Sequence, residues 1–330
     1  MKHVALLFPL ICAAAPATPP ARQRIVLLVD EIKAIRNFPV VLAERLGYLE
    51  GVTVMNIRDD APTAEMLMNG RVDAVMAYYH HTVVNRAAGR NFEAVVTLGV
   101  TPGTKVLVAN HARDKYRTPK DLAGSRIIAG GAGSSKTTVA NALLLAGGHA
   151  ISDYTRIANE SKDKIAATLR SGGADLVVAP TPDGAYYEAQ GVATVFADLT
   201  TAESTRKFLG ALFPSSTIYM TSERVKAHPE IAQRLADGFV RTLKFIHSHS
   251  PEEILAVIPP EISGPDRIAY LRTLREEIPM FAGDGRMPTG AAEQERRVLA
   301  ELNPRYKQVR VEETYTNTFV DAALRGGDAR

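Results

Sequence analysis

A chain of 330 residues, 46% hydrophobic and 23% charged, is long enough for two lobes of ordinary domain size. Its net charge of +3 is small and its basic residues are scattered, which excludes the concentrated cationic footprint of a nucleic-acid binder. A single cysteine, Cys12, excludes a disulfide framework.

The first residues differ from the rest. Lys2 and His3 precede an apolar run from Val4 to Ala15, then Pro16-Ala17-Thr18-Pro19-Pro20. A positive start, a short apolar core and an A-x-A ending read as a cleaved secretory signal over residues 1–20. The run is too short to span a bilayer. Ile11 stands before Cys12 where lipid attachment wants a small residue, which disfavours an anchored lipoprotein. The remaining chain is therefore expected in the periplasm, with no cysteine left.

Arg24 to Val29 is a compact buried-strand pattern that runs into the turn Asp30 to Phe38. Pro39 suits a helix start, and Gly47 stops that helix. Val52 to Ile57 alternates as a strand. A helix follows from Pro62 to Asn69, then a strand from Val72 to Ala77. Tyr78-Tyr79-His80-His81 leads into a helix ending at Arg86. Ala94 to Leu98 and Thr104 to Ala109 are further strands. Such alternation of strand and helix predicts a mostly parallel α/β sheet.

Ile127 to Leu145 reads as a short strand, a glycine-rich turn and a helix. The second half adds a helix from Ser161 to Leu169 and strands at Asp175–Ala179, Val192–Phe196 and Ser216–Met220. Everything later is helical by pattern: 229–246, 251–257, 265–278, 291–302 and 315–324. No new set of strands accompanies these helices, so they are expected to pack on the first lobe without forming a third domain.

The stretch Gly130 to Thr137 has three readings. It is a near match to the phosphate-cradling G-x-x-x-x-G-K-[ST] loop, but Ser135 stands where the second glycine belongs. It is also a helix start able to hold a small anion through free N–H groups and the helix dipole, with Lys136 adding charge. The plainest reading is a strand-to-helix turn with no ligand. An export signal moves weight from the first reading to the second, because nucleotide is scarce outside the cytoplasm.

Several segments in order resemble the nitrate/sulfonate/taurine substrate-binding proteins of ABC importers, a group that includes binders of thiamine pyrimidine precursors. They are Ala43-Glu44-Arg45-Leu46-Gly47-Tyr48-Leu49-Glu50, Asn69-Gly70-Arg71-Val72-Asp73-Ala74, Asp121-Leu122-Ala123-Gly124 before Gly130 to Ser135, Leu169 to Asp175, His228-Pro229-Glu230, and Tyr315 to Val320. The resemblance implies an α/β chain of type II periplasmic binding protein fold, with two parallel-rich sheets joined by two hinge strands. Residues 22–112 plus 215–330 would form lobe one, and 113–214 lobe two. It implies a Venus-flytrap receptor with a small anionic organic ligand, sulfonate- or taurine-like or an aromatic acid. An ABC permease and its ATPase would be the partners and monomer the default state. It implies no catalytic residue, cofactor or metal. A P-loop-like nucleotide-binding enzyme built on Gly130 to Thr137 remains the alternative. A pyrimidine-synthesising enzyme of the same fold would need a cysteine-rich stretch that this chain lacks.

In that fold the cleft is lined by turns at the carboxyl ends of strands. The candidates from lobe one are then Glu31, Arg36, Asn37, Phe38, Tyr78, Tyr79, His80 and Thr101. Those from lobe two are Gly133, Ser134, Ser135, Lys136, Thr181 and Asp183. Ser134 and Ser135 would offer hydroxyls to an anionic head. Tyr78 and Tyr79 adjoin at a strand end and point to opposite sides, so one should face the ligand and the other the core. His80 and His81 lack a helical His or Glu partner at metal spacing, which argues against zinc.

Overall fold

The computed structural model describes residues 24–57 and 62–327; the expected signal segment 1–20 lies outside them. The first part of the chain builds β1 (Ile25–Asp30), α1 (Phe38–Arg45), β2 (Val52–Ile57), α2 (Thr63–Met68), β3 (Ala74–Tyr78), α3 (His80–Ala87) and β4 (Phe92–Thr97). Next come β5 (Thr104–Ala109), β6 (Arg126–Ile128), α4 (Ser135–Ala146), β7 (Thr155–Ile157), α5 (Lys162–Arg170), β8 (Leu176–Pro180), α6 (Thr181–Ala189), β9 (Ala193–Asp198) and α7 (Ala202–Leu209). The chain ends with β10 (Ser216–Thr221), α8 (Ser222–Ala227), α9 (Pro229–Ser248), α10 (Pro251–Val257), α11 (Pro260–Ser263), α12 (Arg267–Glu277), α13 (Ala291–Leu302) and α14 (Thr318–Gly327).

The strands form two five-stranded sheets, ordered β2-β1-β3-β10-β4 and β7-β6-β8-β5-β9. In each, four strands run in one direction and the strand that has crossed from the other lobe joins antiparallel: β10 between β3 and β4, and β5 between β8 and β9. β5 and β10 are buried along their whole length, which explains why their sequences show no polar alternation.

The strand β5 was expected in lobe one. Its pairing with β8 and β9 sets it in the second sheet instead, so the crossing occurs at Leu98 to Gly103 and not near Asn110. The pattern of an apolar strand does not say which sheet completes it; only the pairing partner does. The outgoing and returning segments are tied together. Leu98 N–H and Gly99 N–H donate to Ser216 O at 2.8 and 3.0 Å, and Ser215 N–H donates to Gly99 O at 2.9 Å.

The late helices mostly cover the first sheet. α9 opens on Pro229 and turns Ile231, Leu235, Phe239, Leu243 and Ile246 inward at helical spacing. Two of these helices also reach the second lobe. Gln294 of α13 donates to Leu209 O at 3.0 Å, and Glu276 of α12 pairs with Lys105 Nζ at 2.5 Å. The tail then pairs along β4 through Ala94 N–H to Thr314 O and Thr316 N–H to Ala94 O. The sequence reading missed β7, α6, α7, α8 and α11, each of nine residues or fewer.

One close approach gives a sharp test of this packing. α4 ends at Gly147, where an added Cβ would lie 2.2 Å from Pro119 O, a backbone atom that cannot swing aside. Gly147→Ala is expected to cost about 1–3 kcal/mol through overpacking. Gly283→Ala, whose Cβ meets nothing within 4 Å, serves as the control. Equal melting temperatures for the two variants would contradict this packing.

Candidate functional site between the lobes

The lobe-one face is built on the end of β1. Glu31 takes a left-handed backbone, φ 43°, which costs a residue other than glycine about 1–3 kcal/mol. The surrounding bonds hold it there. Asn37 Nδ2 donates to Asp30 O at 2.6 Å and to Glu31 O at 3.3 Å, while Ile32 N–H donates to Asn56 Oδ1 at 3.0 Å. Asn37 is thus spent on holding the turn, 1% exposed beneath it. The turn carries Arg36, which donates to Glu31 Oε2 at 2.9 Å, lies 3.7 Å from Asp30, and spreads over the Tyr78 ring at 5.6 Å. Burial alone would lower the guanidinium pKa, but Tyr78, Asp30 and Glu31 together hold it above its ordinary value.

β3 ends in Tyr78, and here the two tyrosines part as a strand end requires. Tyr78 is half-buried at the lobe boundary. Tyr79 is fully buried, and its hydroxyl meets Thr314 Oγ1 at 2.5 Å. His80 begins α3, stacks at a tilt on Tyr78 with centroids 5.9 Å apart, and faces Glu295 of α13 at 3.8 Å. Burial drives the imidazole well below its usual value, with His81 adding to the effect, and drives the Glu295 carboxyl well above its own. Burial thus favours the neutral form of each, a buried pair behind the tyrosine.

The lobe-two face is the turn from β6 into α4. Gly133 adopts φ 85° and stands exposed at its tip. Ser134 is the N-cap, its Oγ accepting from Thr137 N–H at 3.3 Å. Ser135 and Lys136 open the helix half-buried. Thr137 is 3% exposed and its hydroxyl lies 2.9 Å from both Gly130 O and Gly131 O. A phosphate-binding loop turns its carbonyls away and keeps that hydroxyl outward for a metal. Here the threonine is consumed inside the turn, so the nucleotide-binding alternative is not supported.

The two faces meet. The Tyr78 hydroxyl faces the Ser135 side chain across the boundary; burial raises its pKa, opposed by Arg36 and by Ser135. Lys136 donates to Asn159 Oδ1 at 3.2 Å. Burial lowers its pKa, while Asp183 of lobe two and Glu31 of lobe one act to raise it. The structure therefore brings together Glu31, Arg36, Tyr78, Ser135, Lys136 and Asp183, with Asn37 and Ser134 holding the two turns.

Other candidates fall elsewhere. Phe38 is wholly buried, edge-on to Phe281 at 5.0 Å, because its position at the start of α1 points into the sheet. Tyr79 is likewise core, and His80 is a layer behind the surface. Thr101 lies in the crossing segment between β4 and β5 and donates to Thr200 O at 3.3 Å. Thr181 begins α6 buried, beside Glu277 of α12. The sequence reading missed Glu277 altogether: within Arg275-Glu276-Glu277 it looks like one more charge on a solvated helix. Among the described residues no three His, Cys, Asp or Glu side chains gather as a metal would require, and no helix is long and apolar enough to cross a membrane.

Known structures share this architecture. A protein from Bordetella bronchiseptica RB50 superposes with a TM-score of 0.74 at 25% identity, over 92% of this chain and 98% of that one. A periplasmic sulfonate-binding protein of a sulfonate ABC transporter from Methylobacillus flagellatus KT, described as putative, gives 0.68 at 16% identity, over 93% and 96%. A desulfurization enzyme gives 0.62 at 14%, over 92% and 100%. The fold is therefore that of the periplasmic binding proteins, and it is shared by at least one protein named as an enzyme. No curated protein matches the sequence. Residues 36–254, well over half of the chain, match the family model described as NMT1/THI5 like, and the chain belongs to the NMT1/THI5-like family.

Proposed function

We propose that this chain is an extracytoplasmic solute receptor that captures a small organic anion between its lobes and presents it to an ABC permease and its ATPase. The observation that carries the reading is the meeting of Arg36 and Tyr78 from one lobe with Ser135 and Lys136 from the other. Two cations, two hydroxyls and the free N–H groups at the start of α4 converge where an acidic head could bind. Glu31 occupies Arg36 and faces Lys136, so an incoming acid would exchange for it on the arginine. Binding across both faces favours the closed arrangement, with the paired crossing segments as the hinge. A receptor of this kind works as a monomer and makes or breaks no bond in its ligand. The signal segment expected over residues 1–20 and the sulfonate-binding protein among the structural relatives support this reading.

The test is thermal unfolding of the purified protein with sulfonates, taurine, nitrate, aromatic carboxylates and pyrimidines. A ligand at about 100 times its Kd should stabilise by about 2.7 kcal/mol. The shift should shrink in a Ser135→Ala/Lys136→Ala double variant that melts normally without ligand. No shift with any member of the panel would overturn the proposal, and so would a shift that the double variant keeps in full.

A further inference from the structure

A cavity of about 470 Å³ opens on lobe one, well away from the cleft. One wall carries Arg86 and Ala87, from the end of α3; the other carries Arg305, Val309, Arg310 and Glu313, from the tail after α13. Its place follows from the sheet. Asn91, which also lines it, stands just before β4, and β4 runs in the same direction as β3. The cavity therefore lies at the strand starts, whereas Tyr78 lies at a strand end. β4 is six residues long, so about 20 Å separates the two. The volume falls within the range of small-molecule sites.

The charges around this cavity do not balance. Glu313 is its one carboxylate. It accepts from Arg86 Nη1 at 2.8 Å and lies 3.1 Å from Arg310 Nη1. Among the described residues the Arg305 side chain has no hydrogen-bond or ion-pair partner. Three guanidiniums, charged at any working pH, thus face one acid, an excess of two positive charges. Like charges around one concavity focus a positive potential into it. The frame that carries them is fixed. Val309 and Val311, on either side of Arg310, are 7% and 9% exposed. Arg296 of α13 donates to Lys307 O at 3.1 Å, and Arg86 donates to Glu313 O. An anion would meet these groups with little further ordering of the backbone, which lowers the cost of binding.

We infer that this cavity is a second binding site, which takes a small phosphate monoester. A single dianionic group matches the excess of two charges. Planar guanidinium forks pair with phosphate oxygens two at a time, and Arg305 and Arg310 are exposed and free to do so beside the Arg86–Glu313 pair. Ala87 and Val309 offer apolar surface to the organic part of the ester. The site shares no residue with the cleft and stands independently of the receptor reading.

Calorimetry at pH 8, where a phosphate monoester carries two charges, tests it with glycerol 3-phosphate, inorganic phosphate and propionate. Glycerol 3-phosphate should saturate the native protein with a Kd of about 1 mM or tighter. Inorganic phosphate, without an organic part, and propionate, with one charge, should both bind more weakly. Arg305→Ala/Arg310→Ala should weaken glycerol 3-phosphate by about 10- to 100-fold and melt like the native protein without ligand, since both side chains are exposed. Arg86 stays in place because it also holds the tail. Ser135→Ala/Lys136→Ala, which alters only the cleft, should bind glycerol 3-phosphate as the native protein does. No saturable binding to the native protein would overturn the site, and so would an affinity that the arginine double variant keeps in full. Equal affinity for inorganic phosphate would overturn the ester as its ligand. Loss of binding in the cleft variant alone would move the phosphate to the cleft, overturning this site and leaving the receptor reading in force.

Discussion

Asp175→Ala is expected to destabilise the protein by about 2–4 kcal/mol, which combines a lost buried acceptor with a partly exposed ion pair. The carboxylate precedes β8 and is 6% exposed. It accepts from Arg126 N–H at 2.9 Å and from the Arg126 guanidinium at 2.7 Å, with Tyr116 and His111 each 3.4 Å away. Burial would raise its pKa, but the Arg126 side chain, the Arg126 N–H and His111 together hold it below the ordinary value. Because the folded-state pKa is the lower one, this stabilisation is whole above the ordinary aspartate value of about 4 and drains as pH falls through the folded-state value. Melting curves of native and variant protein should differ by about 1–2 °C per kcal/mol at neutral pH and converge in acid. A constant gap down to strongly acid pH would show that the charge is not what matters. Asp175→Asn keeps one acceptor and should cost less.

The effect should reach the ligand as well. Arg126 begins β6, the strand that delivers the turn into α4. Lobe one repeats the device: Asp73 precedes β3, accepts from Val26 N–H at 2.8 Å, and pairs with Arg224. The two aspartates belong to the short Gly-x-x-Asp-like segments on which the family resemblance rests. In both lobes that segment staples together the starts of two parallel neighbours, β1 with β3 and β6 with β8.

Arg36→Ala should weaken an acidic ligand by about 10- to 100-fold, the value of hydrogen bonds to a charged group. The side chain is 24% exposed, lies over Tyr78 and is the one arginine of the lobe-one turn. Removing it also takes a cation from beside Asp30 and Glu31, which adds repulsion of the anion to the lost bonds. Arg36→Lys keeps the charge but not the planar fork and should fall between. Calorimetry with the ligand found in the thermal screen measures the series. An unchanged Kd in Arg36→Ala would remove the arginine from the site, while its unfolding midpoint without ligand checks that the turn survives.

Much of the fold was legible because the signals are local. Strand β1 is an unbroken apolar run, α9 repeats its apolar face over many turns, and Ser134 stands ready to cap α4. The cleft was legible in part for the same reason, since turns after β1, β3, β6 and β8 can be read from strand ends. Phe38 was misplaced because the side on which a residue at a helix start points depends on how the helix lies on its sheet. Tyr78 and Tyr79 could be separated in principle but not assigned, because alternation does not name the buried side.

The sequence by itself determined the alternation of strands and helices, the capped glycine-rich turn and the family, since each is written in neighbouring residues through period, cap and turn chemistry. Only the tertiary structure decided which sheet β5 completes, which tyrosine meets Ser135 across the boundary, and that Glu277 is buried against Thr181. Those outcomes depend on contacts between residues far apart in the chain. There, burial and pairing arise from packing two lobes together, and no local pattern carries that information.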